Sequence, residues 1–230
     1  MTMTAVQPFG RAHALRIARA FLPERWYGNR YDYYYVQAKL RTDPLYPGAL
    51  AALRGSDAPV LDLGCGLGLF AHALRADGQA LVYLGVDIDA DKIARARVIA
   101  ARSGLTDARF EVLDLGAGLP AHFGSVAILD VLQYLSLERQ RDLLAQVCAM
   151  LVPGARLVIR TGLVDESSRG RTTRVTDRLA HTFGWMQETP KQYPTREGLV
   201  SQLEAAGLAV TCAPLYGNTP FNNWLIVAMR

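Results

Sequence analysis

From about residue 59 onward, short apolar runs of strand length alternate with stretches of helical periodicity, and few folds tolerate that pattern. Strands separated by helices pair in parallel, because a parallel neighbour needs a crossover long enough to hold a helix. The runs predict strands over about 59–64, 81–87, 108–114, 124–130 and 155–161, and helices over about 68–76, 89–103 and 136–151. Punctuation agrees: Pro59 precedes the first strand, Asp89 can cap the second helix and Gly104 end it, Ser136 with Glu138 opens the third, and Pro153-Gly154 stops it.

The last third changes character. A polar insert over about 163–192 holds a predicted helix near 173–184, and a further helix is predicted over 195–206. Two strands follow, about 208–216 and 223–229, joined through Gly217, Asn218 and Pro220. That connection is too short for a crossover, so the pair must be antiparallel. Before residue 58 the chain reads as helices over about 9–22, 30–41 and 46–54, the first with an apolar face of Leu15, Ala18, Phe21 and Leu22. The expected fold class is α/β: a Rossmann-like, seven-stranded, mostly parallel sheet with an antiparallel final strand, helices on both faces and a helical N-terminal cap. The cap is assigned to residues 1–57 and the sheet domain to 58–230, with the insert over about 163–192 as a lid.

Composition narrows the function classes. No apolar stretch is long enough for a membrane span, and Arg11, Arg16 and Arg19 interrupt what would be a signal's apolar centre. Cys65, Cys148 and Cys212 fit neither a disulfide framework nor a zinc pattern, and His13, His72, His122 and His181 stand isolated. A cytoplasmic protein without a metal site, and without stable membrane insertion, is expected. Net charge is +4, and residues 11–41 carry seven basic side chains against Glu24 and Asp32, but no dense basic run or nucleic-acid module appears. Nucleic acid is therefore not the expected partner.

The segment Val60-Leu61-Asp62-Leu63-Gly64-Cys65-Gly66-Leu67-Gly68 reads as a buried strand running through a glycine turn into a helix. Such glycines let backbone approach a ligand closely and expose helix N-terminal amides. Read from Gly66 the turn also fits the dinucleotide fingerprint, and Asp87 would suit ribose hydroxyls in either case, so a nicotinamide-dependent dehydrogenase stays open. Asp62, Asp87 and Asp114 fall near the C-terminal ends of the first three strands, the ligand-binding edge of an open α/β sheet. Asp62 lies just before the turn, where a pyrophosphate would be repelled and a cationic ligand suited.

These glycines and carboxylates, followed by Gly85-Val86-Asp87, Val112-Leu113-Asp114, Leu129-Asp130-Val131-Leu132-Gln133-Tyr134-Leu135 and Leu151-Val152-Pro153-Gly154, resemble the class I S-adenosylmethionine-dependent methyltransferases in motif order across about residues 58–162. The resemblance implies S-adenosyl-L-methionine as cofactor. Gly64, Gly66 and Gly68 would pass beside its methionine part, Asp87 would hold the ribose and Asp114 the adenine amino group. Ile88 and Leu113 would flank the adenine, and Asp130 would face the methionine end. The Asn/Asp-Pro-Pro-Tyr/Phe signature of many amino-nitrogen methylating enzymes is replaced by Asp130-Val131-Leu132-Gln133, which favours a small-molecule acceptor.

On the substrate side, Trp26, Tyr27, Tyr31, Tyr33, Tyr34 and Tyr35 form a dense aromatic cluster, with Tyr31 and Tyr35 on one helical face. Aromatic faces attract a sulfonium and stack on flat substrates, and equally pack a helix onto a sheet. Tyr31, Tyr35 and His181 are the candidate catalytic residues; Tyr134, Arg171, Arg174, Tyr216 and Asn222 are the candidate substrate contacts, the arginines meeting an anionic group. A solvated histidine and a solvated arginine-rich loop are the plain alternatives. The runs Tyr33-Tyr34-Tyr35, Lys39 to Tyr46 and Thr219 to Trp224 look like methyltransferases found with bacterial aryl-polyene pigment biosynthesis. That likeness implies a phenolic or aryl-carboxylic precursor, free or bound to a carrier protein. A non-catalytic S-adenosylmethionine-binding protein would keep the same cofactor residues.

Overall fold

Val60–Leu63 (β1) is buried along its whole length, as only a strand in the middle of a sheet covered on both faces can be. The structure, a computed structural model, describes residues 6–164, 192–217 and 221–230. Six further strands complete one sheet: β2 (Tyr83–Asp87), β3 (Ala108–Val112), β4 (Ser125–Leu129), β5 (Arg156–Gly162), β6 (Ala209–Pro214) and β7 (Asn223–Met229). Their order is β3-β2-β1-β4-β5-β7-β6, with β7 antiparallel to both neighbours and the remaining pairs parallel. The expected seven-stranded α/β architecture is therefore present. The chain reverses direction across the sheet between β1 and β4, and that switch point opens a crevice at the strands' C-terminal ends.

Helices α1 (Arg11–Ala18), α2 (Tyr31–Thr42), α3 (Leu45–Leu53), α4 (Leu69–Ala76) and α5 (Ala90–Arg102) bury side chains against one face of the sheet, in a cluster that also holds Val60, Tyr83 and Val158. Helices α6 (Leu137–Met150) and α7 (Arg196–Ala205) cover the other face through Leu143, Val147, Leu199 and Leu203. The cap and the first two crossover helices thus share a continuous core. Expected punctuation holds: the Asp89 side chain accepts from the Lys92 amide and Ser136 from the Arg139 amide, each capping its helix. Gly104, at φ +65°, follows the end of α5.

The first helix is shorter than its periodicity predicts. After Ala18 the chain tightens into a 3₁₀ turn, Arg19–Phe21, and Leu22 is extended ahead of Pro23, which disfavours helical backbone in the residue before it. Ala14, Ile17, Ala18 and Phe21, spaced i, i+3, i+4 and i+7, form the buried face, and Leu15 and Leu22, one position round from it, are only half-buried. The predicted helix near 173–184 lies outside the described residues.

Alternation along the strands decides which polar side chains meet the cap. Leu61, Leu63, Leu157 and Ile159 face α6 and α7, whereas Val60 and Val158 face the cap. Asp62 and Arg160, two residues beyond Val60 and Val158, project to the cap side as well.

Candidate functional site

The turn after β1 has three residues in the left-handed region, Gly64 at φ +79°, Gly66 at +55° and Gly68 at +73°. Side chains are costly there, and at two positions space forbids them as well: a Cβ on Gly64 would run into Val131 and one on Gly68 into Phe110. Gly66 has open space where its Cβ would be. The turn is fastened to β2, since the Gly64 and Cys65 amides both donate to the Val86 carbonyl (2.8 and 3.0 Å) and the Gly66 amide donates to the Asp87 carboxylate (2.8 Å). The other Asp87 oxygen accepts from the Asp89 amide at 2.9 Å. Asp87 is thereby fixed at the edge, half-buried, with lone pairs left for a ligand.

Beside it Ile88 is 63% exposed and Leu113 half-buried, with the Leu113 amide bonded to the Asp87 carbonyl at 3.0 Å. Asp114 is exposed, one of its oxygens accepting from the Gly116 amide at 2.7 Å. On the other side of the turn, Asp62 is only 2% exposed. The Tyr83 hydroxyl donates to one of its oxygens, while the other is buried with no hydrogen-bond partner among the described residues. Burial pushes the Asp62 carboxyl up to about 7, against the Tyr83 hydrogen bond and with help from the nearby Asp87 charge. This edge suits a ligand that is a nucleoside at one end and cationic at the other.

Asp130, just past β4, has φ +61°, a conformation that costs a non-glycine residue roughly 1–2 kcal/mol. It is held on several sides: its amide donates to the Arg160 carbonyl (2.8 Å), its carbonyl accepts from Gln133 Nε2 (3.0 Å), and its carboxylate takes Arg160 Nη1 (2.6 Å to Oδ1). Arg160, 2% exposed, also donates Nη2 to Asp43 at 3.0 Å, and Lys39 Nζ lies 3.3 Å from Asp130 and 3.4 Å from Asp43. Burial disfavours both cations, but the two carboxylates outweigh it and raise the Lys39 and Arg160 pKa values; Arg160 and Lys39 in turn lower that of Asp43. Lys39, Arg160 and Asp43 are each held in the charged form by this arrangement. The Asp130 carboxylate is thus already engaged by cations of the chain.

Helix α2 bridges this edge. Near its start Asp32 pairs with Arg95 of α5 at 2.9 Å, and seven residues on, about 10 Å along the axis, Lys39 reaches Asp130. Tyr31, Tyr35 and Lys39 form one i, i+4, i+8 stripe, the two rings parallel within 6° at 6.3 Å between centroids. Of the remaining candidates, Tyr134 ends a short 3₁₀ turn, Leu132–Tyr134, and is half-buried, as is Tyr216 after β6. Asn222 is buried, and its amide has partners within the chain: Nδ2 donates to the Leu163 carbonyl and Oδ1 accepts from Trp224 Nε1, both at 3.2 Å. His181, Arg171 and Arg174 lie outside the described residues. His72 is buried edge-on to Phe21, away from this edge, and burial pulls it down to about 4.

Sequence reading passed over Tyr83, Asp43 and Arg160 as parts of this site. One signal was present: a charge in the otherwise apolar run of β5 demands carboxylate partners, because an unpaired buried cation is prohibitive. The sequence does not indicate which carboxylates supply them.

The family model described as Methyltransferase domain matches residues 54–195, more than half of the chain. The ubiquinone biosynthesis O-methyltransferase of Xylella fastidiosa (strain 9a5c) is 34% identical over 109 residues, 46% of this chain and 42% of the relative. A 23S rRNA (uracil(1939)-C(5))-methyltransferase of Stenotrophomonas maltophilia (strain K279a) is 44% identical over 85 residues, 36% of this chain and 18% of the relative. The chain therefore spans less than half the length of these curated relatives. Among solved structures, the magnesium protoporphyrin IX methyltransferase ChlM of Synechocystis PCC 6803 with bound SAH superposes with a TM-score of 0.64 at 18% identity, covering 94% of this chain and 93% of that one. The chain belongs to the family of that model, the methyltransferase domain, and has the class I methyltransferase fold.

Proposed function

We propose that the protein transfers the methyl group of S-adenosylmethionine to a small aromatic acceptor, a phenolic or aryl-carboxylic precursor of a pigment or other secondary metabolite, free or carrier-bound. In this reading Asp87 holds the ribose hydroxyls, Ile88 and Leu113 flank the adenine and Asp114 accepts from its amino group. Gly64, Gly66 and Gly68 pass beside the methionine part, whose cationic end meets the unpartnered oxygen of Asp62. The observation that carries the acceptor class is the placement of α2. Its Tyr31–Tyr35–Lys39 stripe carries two parallel, exposed rings and ends at Lys39, whose half-buried ammonium reaches Asp130.

When bound, the cofactor supplies a methyl group activated by a positive sulfur. The chain has to exclude water and hold the acceptor in line, and the acceptor's proton must leave. The Xylella relative, an O-methyltransferase of ubiquinone biosynthesis, is consistent with an oxygen nucleophile.

Calorimetric titrations with S-adenosylhomocysteine and with NAD test the cofactor half; binding of NAD alone overturns it. Labelled-methyl transfer to a panel of phenols and aryl carboxylates tests the acceptor half, with Tyr31→Ala and Tyr35→Ala expected to reduce turnover more than cofactor affinity. Transfer to no member of that panel, by protein that binds the cofactor, overturns the aromatic acceptor.

A further inference from the structure

Part of the aromatic cluster in the cap is not absorbed by the site. Trp26 is 83% exposed, Tyr27 64% and Tyr34 56%, within nine consecutive residues. Single exposed apolar side chains are ordinary, but large rings gathered in one short segment mark a surface that meets something. Helix α2 already buries Val36 and Leu40 on its inner side, so Tyr34 is not needed to hold the helix down.

The unpaired charges around these rings are mainly basic. Arg25 lies 5.8 Å from the centre of the Tyr27 ring and donates to its hydroxyl at 3.1 Å, and Arg30 donates to the Trp26 carbonyl at 3.2 Å. Arg25, Arg30 and Arg41 are exposed, and none has a carboxylate at ion-pair distance among the described residues. The acidic side chains that could balance them are used elsewhere: Asp32 by Arg95, Asp43 by Arg160 and Lys39. Only Glu24 opposes this segment.

Amphipathic rings interleaved with uncompensated arginines are the chemistry of a membrane–water interface, where tryptophan and tyrosine sit at the headgroup level and guanidinium groups meet lipid phosphates. We propose that the segment from Arg25 to Tyr34 docks the protein peripherally on an anionic membrane surface. Among the described residues no helix is long and apolar enough to cross a membrane, so contact is at the surface. Single-stranded RNA is the competing anionic partner. It would need a basic groove that tracks the backbone, whereas Arg25 and Arg30 are the unpaired cations this segment supplies among the described residues. The tyrosine stripe toward Asp130 starts within the same segment, at Tyr31, which gives a lipophilic acceptor a short path from bilayer to site. The docking proposal itself does not depend on that acceptor.

The test is co-sedimentation of the full chain with vesicles of phosphatidylcholine alone and of phosphatidylcholine mixed with phosphatidylglycerol. Binding to the anionic vesicles only, weakened by salt, is expected. Arg25→Glu with Arg30→Glu should lower the partition coefficient by roughly tenfold or more. Trp26→Ala with Tyr27→Ala should also lower it, with melting temperature and S-adenosylhomocysteine affinity unchanged in both variants. Absence of binding to anionic vesicles overturns the proposal, as does binding that both variants retain. An RNA oligonucleotide bound through Arg25 and Arg30, with vesicles ignored, would overturn it in favour of RNA.

Discussion

The Gly66 amide donates to the Asp87 carboxylate at 2.8 Å, joining the glycine turn after β1 to the end of β2 through the carboxylate proposed to take the ribose. Turn and ribose anchor are therefore one unit. Asp87→Ala should weaken S-adenosylhomocysteine binding by roughly 2–4 kcal/mol, the worth of two charged hydrogen bonds, and also loosen the turn. Calorimetry measures the first effect and amide exchange at Gly66 the second. An unaltered affinity would remove Asp87 from the cofactor site.

The three turn glycines should not respond alike to alanine. Gly64→Ala adds a collision with Val131 to an unfavourable φ, whereas Gly66→Ala meets only the φ penalty, about 1–2 kcal/mol. Thermal melts should therefore rank Gly64→Ala as the less stable variant. Gly66→Ala should show the larger ratio of lost cofactor affinity to lost stability, because the open space it fills is where the ligand would lie.

Asp62 gives a pH signature. Its carboxyl is raised by burial to about 7, so the folded state binds its proton more tightly than the unfolded chain does. The stabilisation this confers is complete below the ordinary carboxyl range and is lost as pH rises toward 7. Asp62→Asn, which cannot ionise, should gain melting temperature relative to the unsubstituted protein across that window, with a constant difference above it. Melting curves of the two ligand-free proteins from pH 4 to 8 check this; parallel curves would mean that Asp62 is ionised throughout.

Arg160 is the hub of the charge cluster, and removing it strands Asp43 and Asp130 with Lys39 as their remaining cation. Arg160→Met should destabilise the protein by about 3–5 kcal/mol, as breaking a buried pair does. Urea denaturation at neutral pH measures it. A loss below about 1 kcal/mol would show that the carboxylates find water instead.

How far these features can be read from sequence depends on the range of the interaction behind them. Strand and helix positions, the caps at Asp89 and Ser136, and the reversed final strand follow from signals within a few residues of one another. The end of the first helix also has a local signal in Pro23, but apolar periodicity alone carries the helix on to residue 22, past the 3₁₀ turn at Arg19–Phe21. The left-handed Asp130 is stabilised by Arg160, thirty residues away, and by Lys39, ninety-one residues away. No window along the chain contains all three. Asn222 reads as a polar group of the last turn, and only the fold shows that its amide ties β7 to Leu163.

The place of β7 in the sheet has a consequence for how the protein is made. Residues 223–229 insert between β5 and β6, so as the chain leaves the ribosome β5 presents an open, apolar edge until the final segment emerges. The strands β1 to β5 can pair before β6 and β7 are made, whereas β6 has no neighbour until β7 emerges. During that interval the open edge of the nascent sheet is a template for strands of other chains, a hazard that closes when β7 inserts.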